Sequence, residues 1–299
     1  MKVDIPNFID DRILMLGSRQ VTSYLVMGEH FAWIGGGTAW GVPRLEEQLA
    51  HFQIDRRRIR YLVVSHVHHD HCGAVPYLCR KYPWIEVVAS TYGAYLLTRE
   101  KPVRLMRDLN ARTLDRLKMA HSHDGVSLDF TDIHVAHPMG DGDGLDLGGG
   151  LSLQFVDTPG HSRCSLSVYL PERRILFPGD AIPFPERGRN ELTVTANHDY
   201  PDYLSSLEKL RPLSIDMVAY EHCGMLNGNG AKDIVSHGLD ASRKQRERIR
   251  ARLQELGDAE RLVDETVAKY QTVELFRLLS VDVLRPIIRR MVLSAIDER

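Results

Sequence analysis

Residues 59–82, IRYLVVSHVHHDHCGAVPYLCRKY, constrain the fold of this chain more than any other stretch. YLVVSH is an apolar, β-branched run too short for a helix, and it reads as a buried strand ending at His66. GAVPYLCRKY, beginning at Gly73, reads as a helix. The residues between, His66, His68, His69, Asp70 and His71, therefore occupy a strand-to-helix loop. Loops of this kind are where α/β sheets place their ligand sites.

The rest of the chain up to about residue 230 repeats that texture. QVTSYLVMG, HFAWIGGG, IEVVAS, LSLQFVDTPG, LSVYL, RRILFPGD and IDMVAYEH are short apolar runs bounded by turn residues, as strands of a packed sheet are. Helical spacing appears between them at about 43–52, 74–82, 91–119 and 201–210. After residue 230 the strands disappear. A first helix runs to Gly257 and Asp258, a stop followed by a start. A second reaches to about Leu279, and a third covers VLRPIIRRMVLSAI, with Pro286 near its first turn or kinking it. This divides the chain into an α/β segment, 1–229, and a helical appendage, 230–299, whose amphipathic helices are expected to cover the active-site side.

Composition excludes several classes. With 299 residues and 43% hydrophobic content the chain buries a large core. A formal charge of −2 argues against a domain built to neutralise nucleic-acid phosphates or to coat an anionic membrane. No apolar run has spanning length and MKVDIPNFIDDR has no leader pattern, so a cytoplasmic protein with no membrane and no nucleic-acid partner is expected. Cys72, Cys79, Cys164 and Cys223 show no CxxC spacing and are read as reduced thiols, with Cys72, Cys164 and Cys223 packing beneath loops.

In the histidine loop, His66 and His68 can converge on one metal while Asp70 and His71 turn toward a second. Imidazole with carboxylate suits zinc, iron or manganese better than magnesium or calcium. Three later strand ends carry the same residue types: His161 in DTPGHS, Asp180 in ILFPGDA and His222 in VAYEHCG. Each alone is what an ordinary turn or strand end often contains.

Taken in order, SHVHHDHCG, TPGHS, FPGDA and the terminal histidine near 222 resemble the metallo-β-lactamase superfamily of dinuclear hydrolases over residues 10 to 225. The resemblance implies an αββα sandwich with two divalent metal ions at one edge, zinc or iron ahead of manganese. It implies a first metal held by His66, His68 and His161, a second held by Asp70, His71 and His222, and a bridge from Asp180. Asp70 and Asp180 are then the catalytic carboxylates, beside a metal-bound hydroxide that acts as nucleophile. Within the superfamily the histidine loop and the helical end are most similar to PqsE-type quinolone-signal response thioesterases, and more distantly to glyoxalase II. One departure is AWIGGGTAW, which places Gly35 and Gly36 where many members carry a supporting carboxylate, so another group must orient the metal histidines. A second is Ala181–Phe184, a poor match to the turns of lactone-cleaving members.

Two ions about 3.5–4 Å apart lower the pKa of a shared water toward about 7 and polarise a carbonyl. A thiolate leaves without a proton, whereas an amide nitrogen needs a positioned acid that the sequence does not identify. A thioester or ester is therefore the expected substrate. Phosphodiester hydrolysis, or a PqsE-like regulatory protein that retains its metal centre and works through a protein partner or as a homodimer, stays open. His69 is a candidate for lining the pocket. Arg285 and Arg289, four apart on the last helix, are candidates for meeting an anionic substrate, and the cationic run RKQRERIR reads as a solvated helix face.

Overall fold

The computed structural model describes residues 5–185 and 191–297; residues 1–4, 186–190 and 298–299, which fall within the two expected segments, lie outside it. A seven-stranded sheet takes the strands Asn7–Phe8, Ile13–Gly17, Thr22–Met27, Phe31–Ile34, Ile59–Val64, Glu86–Ser90 and Val135–Met139 in that order. Its first four strands pair antiparallel, and the last three join by parallel pairing. A six-stranded sheet takes Gly144–Gly148, Leu151–Asp157, Leu166–Leu170, Ile175–Phe177, Met217–Ala219 and Met225–Asn227, antiparallel except where Ile175–Phe177 meets Met217–Ala219.

Alternation along the strands decides what faces what. Ile13 and Met15 point into a core shared by the two sheets, together with Tyr24, Val63, Phe155, Val168 and Phe177. Leu14 and Leu16 point the other way, to a core closed by the helices on the outer face of the first sheet. Because both faces are covered, these strands read as continuous apolar runs rather than alternating ones.

The first sheet's helices are α1 (Val42–His51), α2 (His69–Cys72), α3 (Val75–Lys81), α4 (Thr91–Leu97) and α5 (Glu100–Arg116). The single helix expected over 91–119 is two. Pro102 has no N–H and its ring would collide with the carbonyl of residue 98 in a continuous helix. It sits in the first turn of α5 instead, after Arg99 in extended conformation. The strands Ile13–Gly17, Val135–Met139 and Gly144–Gly148 were not among those the sequence indicated. Val135–Met139 is an edge strand interrupted by Pro138, which an edge tolerates.

On the second sheet's outer face lie α6 (Tyr200–Leu210), α7 (Asn229–Lys232), α8 (Ile234–Leu256), α9 (Ala259–Tyr270) and α10 (Val281–Ile296). Gly257 ends α8 in left-handed conformation, and the Asp258 side chain caps α9 by accepting from the Glu260 and Arg261 N–H groups. The second appended helix stops at Tyr270, with a short 3-10 turn at Leu275–Leu278 completing the stretch to Leu279. Pro286 lies in the second turn of α10 rather than its first. Leu284, Ile288, Met291, Val292 and Ala295 form the buried stripe of α10. They belong to one apolar cluster with Tyr203 and Leu207 of α6 and with Leu176 and Val218 of the sheet, so the core is continuous across residue 230.

Candidate metal centre

The strand Ile59–Val64 delivers the chain to His66, and His68 stays extended before the helical turn α2 begins. The His68 carbonyl accepts from both the His71 and Cys72 N–H groups, and this tight turn sends Asp70 and His71 back toward His66. From the second sheet, the turn after Leu151–Asp157 brings His161, and the turn after Ile175–Phe177 brings Asp180. The residues following Met217–Ala219 bring His222, pinned to the first sheet by bonds from Thr22 N–H to the Glu221 carbonyl and from Cys223 N–H to the Arg19 carbonyl. All seven expected ligands meet at one edge between the sheets.

Three overlapping groups, His66 with His68 and His161, His66 with His71 and Asp180, and Asp70 with His71 and His222, keep their donor atoms within 4.8 Å of one another. His66 Nε2 is 2.9 Å from His68 Nδ1, which is 3.1 Å from His161 Nε2. His71 Nε2 is 3.0 Å from His222 Nε2. Asp180 Oδ2 stands 3.3 Å from His161 Nε2, 3.5 Å from His71 Nε2 and 3.7 Å from His222 Nε2. Donors about 2.0–2.1 Å from a tetrahedral ion lie about 3.3 Å from each other, so these spacings fit ligation.

The outer nitrogens strengthen that fit. His161 Nδ1 faces the Thr195 carbonyl at 2.8 Å, and His222 Nδ1 faces the Gln20 carbonyl. A carbonyl only accepts, so each Nδ1 carries the proton and each Nε2 turns a lone pair inward. For His71 the acceptor is Glu221, whose Oε2 lies 2.7 Å from Nδ1. Glu221 is the orienting group missing from AWIGGGTAW. Gly35 has φ +90°, and a Cβ there would stand 3.0 Å from Glu221 Oε2, so the glycine leaves the room that this carboxylate fills. A Cβ on Gly36 would lie 2.5 Å from the His71 carbonyl oxygen. Sequence reasoning passed over Glu221, although a carboxylate directly before a candidate ligand at the end of an apolar strand is a visible signal.

Electrostatics agree with a site built for cations. Burial, and then neighbouring imidazoles, hold His66 below the usual range; burial holds His161 down against the opposing pull of Asp180 and the Thr195 carbonyl; and burial with His161 nearby brings His68 down to about 3. Burial alone would raise the Asp180 and Asp70 carboxyls, but the surrounding imidazoles, His71 foremost, hold both below the usual range. His71 goes the other way: burial opposes its charge, yet Asp70, Asp180 and Glu221 raise its proton affinity. A metal at His71 therefore displaces a proton, and its retention weakens as pH falls.

Other expectations resolve as follows. His69 lies outside the donor groups, its ring tilted against Trp40 at 5.7 Å and its Nδ1 3.7 Å from Asp70 Oδ1. Arg285 and Arg289 are not turned to the metal loops. Arg285 bonds Asp264 and Glu260 at 2.9 Å each, and Arg289 bonds Glu260 at 2.6 Å, because the face of α10 defined by that spacing looks onto α9. In the cationic run, Arg243 and Arg248 meet carboxylates, as Arg252 just beyond it does, while Arg246 and Arg250 bond the Ala295 and Asp297 carbonyls at the end of α10. None of the four cysteines forms a disulfide. Cys72 Sγ bonds the His68 carbonyl and Cys164 Sγ accepts from Val67 N–H, so both pack beneath the metal loop, where burial raises their thiols.

The model of the metallo-β-lactamase superfamily matches residues 16–222, more than half of the chain and every proposed ligand. The chain belongs to the metallo-β-lactamase superfamily. A metallo-β-lactamase fold-containing protein of Sulfurisphaera tokodaii is 28% identical over 170 residues, 57% of this chain and 62% of that one. A probable metallo-hydrolase of Burkholderia pseudomallei is 29% identical over 152 residues, 48% of this chain and 43% of that protein. An anaerobic nitric oxide reductase flavorubredoxin of Aeromonas hydrophila is 28% identical over 130 residues, 43% of this chain and 21% of that one. The matched stretch is less than two thirds of each relative's length. Among solved structures, a metallo-β-lactamase of Cronobacter sakazakii carrying changes in its HARLDQ motif superposes with a TM-score of 0.61 at 18% identity, over 85% of this chain and 99% of that one. This likeness establishes the αββα fold. Among the described residues of this superfamily member, no helix is long and apolar enough to cross a membrane.

Proposed function

We propose that this protein is a dinuclear metal-dependent hydrolase acting on a thioester or ester. The observation that carries the reading is Asp180 Oδ2, a single carboxylate oxygen within 3.7 Å of donors from both ligand groups. In this reading His66, His68 and His161 would hold one ion and Asp70, His71 and His222 the other, with Asp180 available to both. Imidazoles with few carboxylates favour zinc or iron over manganese. Two such ions supply a nucleophile at neutral pH and Lewis-acid stabilisation of the developing oxyanion.

The chain's own residues do the rest. Thr195, Gln20 and Glu221 keep the ligating histidines in the tautomer that offers a lone pair. Burial of His66, His71, His161, Asp180 and His222 excludes water beneath the centre, where charges interact more strongly. A thioester suits such a centre best, since a thiolate departs without a positioned acid, and an ester comes next. The similarity of the histidine loop to PqsE-type thioesterases and glyoxalase II points the same way.

The test pairs metal analysis of the gently purified protein with a panel of acyl-thioesters, esters, lactones and phosphodiesters. Two ions per chain and turnover of thioesters or esters are expected. An active protein fully loaded with one ion removes the dinuclear assignment. Turnover of phosphodiesters alone replaces the ester reading, and a two-metal protein inert to the whole panel turns the proposal toward a regulatory partner surface.

A further inference from the structure

The candidate metal centre is open on one side. Of its seven candidate ligands, His66, His71, His161, Asp180 and His222 expose no more than 6% of their surface, whereas His68 and Asp70 are half-buried and the Asp70 side chain keeps 29% of its area exposed. Solvent, and with it a substrate, therefore reaches the centre from the side of His68 and Asp70. His69 stands between these two in the chain, half-buried like them and outside the three donor groups. Its Nδ1 lies 3.7 Å from Asp70 Oδ1, and on the other side its ring meets Trp40 with the centroids 5.7 Å apart.

The backbone holds Trp40 in that place. Its short 3-10 turn, Ala39–Gly41, is closed by Thr38, whose hydroxyl accepts from the Gly41 N–H at 3.0 Å. The Gly73 and Ala74 N–H groups, just past the histidine loop, donate to the Gly37 and Gly36 carbonyls at 2.8 and 3.1 Å. A Cβ on Gly73 would stand 3.2 Å from the Ala39 nitrogen, so a glycine at the end of the loop lets the Trp40 turn lie directly against it. α5 packs against both this turn and α2. Part of the indole rests on the core beneath the first sheet's helices, and the rest stays exposed. An indole face offers a large rigid apolar area, which favours an aliphatic or aromatic group laid against it. Ligand pockets are commonly walled in this way, with a few polar groups placed where the chemistry occurs.

We propose that Trp40, with His69 beside it, forms the apolar wall of the substrate mouth, and that the substrate is a thioester or ester carrying an aliphatic or aromatic group next to its scissile bond. This rests on the hydrolase reading above and adds the substrate class. Trp40 is a specificity-determining residue in this proposal. It reaches the centre through one contact, His69, whose neighbours in the chain are the two exposed candidate ligands.

The experiment uses the full, metal-loaded chain and two series of small thioesters. One lengthens the acyl group from acetyl to octanoyl and adds benzoyl on a fixed thiol; the other keeps acetyl and lengthens the thiol. In the wild-type protein kcat/KM is expected to rise about threefold for each of the first methylenes added, as burial of a CH2 group does, and the series that responds identifies which side of the bond carries the group. Trp40→Ala is expected to flatten that rise and to lower kcat/KM about tenfold for the benzoyl or longest substrate, chiefly through KM, with far less change for the shortest. Trp40→Phe, which keeps a ring, retains most of the preference. Binding of non-hydrolysable thioether analogues supplies a readout without turnover. Trp33 is fully buried and Trp84 bonds the Arg56 carbonyl, so the indole beside the metal loop is Trp40, and the analogues are expected to change tryptophan fluorescence in the wild-type protein but not in Trp40→Phe. Equal losses on short and long substrates, with less bound metal or a lower melting temperature, would mean that Trp40 only braces the histidine loop, and the wall is then wrong. No dependence on chain length in either series overturns it as well. If the wild-type protein cleaves none of the thioesters yet binds the longer analogues more tightly, and Trp40→Ala abolishes that difference in calorimetry, the hydrolase reading fails while the wall stands.

Discussion

The two halves of the sandwich build their shares of the metal centre in different ways. The first sheet contributes four candidate ligands, His66, His68, Asp70 and His71, from one loop of six residues, and its covering helices α1 to α5 are interleaved with its own strands. The second sheet contributes His161, Asp180 and His222 from three separate strand ends, and most of its helical cover comes from α8 to α10, the last helices of the chain. The first half is thus organised locally, whereas the second is assembled by long-range contacts. Tyr270 of α9 bonding the Val194 carbonyl and Arg290 of α10 bonding the His198 carbonyl are two of them. A cluster in one loop gives density of ligands, and ligands scattered over loop ends give the freedom to place a carboxylate between the two groups.

That contrast is broken most severely at Asp180, where the halves meet. Asp180→Asn keeps the shape and removes the charge shared by both donor groups. We expect loss of bound metal and of activity with the sandwich still folded, measured by metal analysis and circular dichroism. Wild-type turnover at full metal occupancy would show that Asp180 does not bridge.

The next effect concerns a side chain that crosses from the second half to orient a candidate ligand of the first. Glu221→Gln replaces the carboxylate facing His71 Nδ1 by an amide of the same size, which still offers an acceptor but no charge. Outer-shell partners of metal histidines typically contribute 10–100-fold in metal affinity. Affinity is therefore expected to fall within roughly that range, with the melting temperature of the metal-free protein little changed. Unchanged affinity would reduce Glu221 to a packing residue behind Gly35.

The same contrast explains what was legible in the sequence. The histidine loop announced itself because its ligands are neighbours, and the strand before it and the turn after it carry their own signals. His161, Asp180 and His222 are each ordinary residues at ordinary strand ends, readable only through their order and the family resemblance. Glu221 was hidden because its purpose depends on Gly35 and His71, both more than 140 positions away. The split of α4 from α5 was signalled by Pro102, and overlooked because helical spacing continues on both sides of it. On α10, periodicity identified a polar face containing Arg285 and Arg289, but it does not tell which face looks at another helix and which looks at a metal loop.

The smallest expected effect follows from that last point. Arg285 and Arg289 share Glu260, and Arg285 also holds Asp264, all on the exposed seam between α9 and α10. Pairs of this kind gain little in high-dielectric surroundings and lose side-chain entropy in forming. Their guanidinium groups are already committed to carboxylates, so a substrate anion recruiting them has to displace a partner held in place by the same helix pair. The double change Arg285→Ala, Arg289→Ala is expected to leave KM unaltered for anionic and neutral substrates alike, with only a slight fall in melting temperature that shrinks further at high salt. A rise in KM confined to anionic substrates would show that this seam of α10 meets the substrate's charge despite its carboxylate partners.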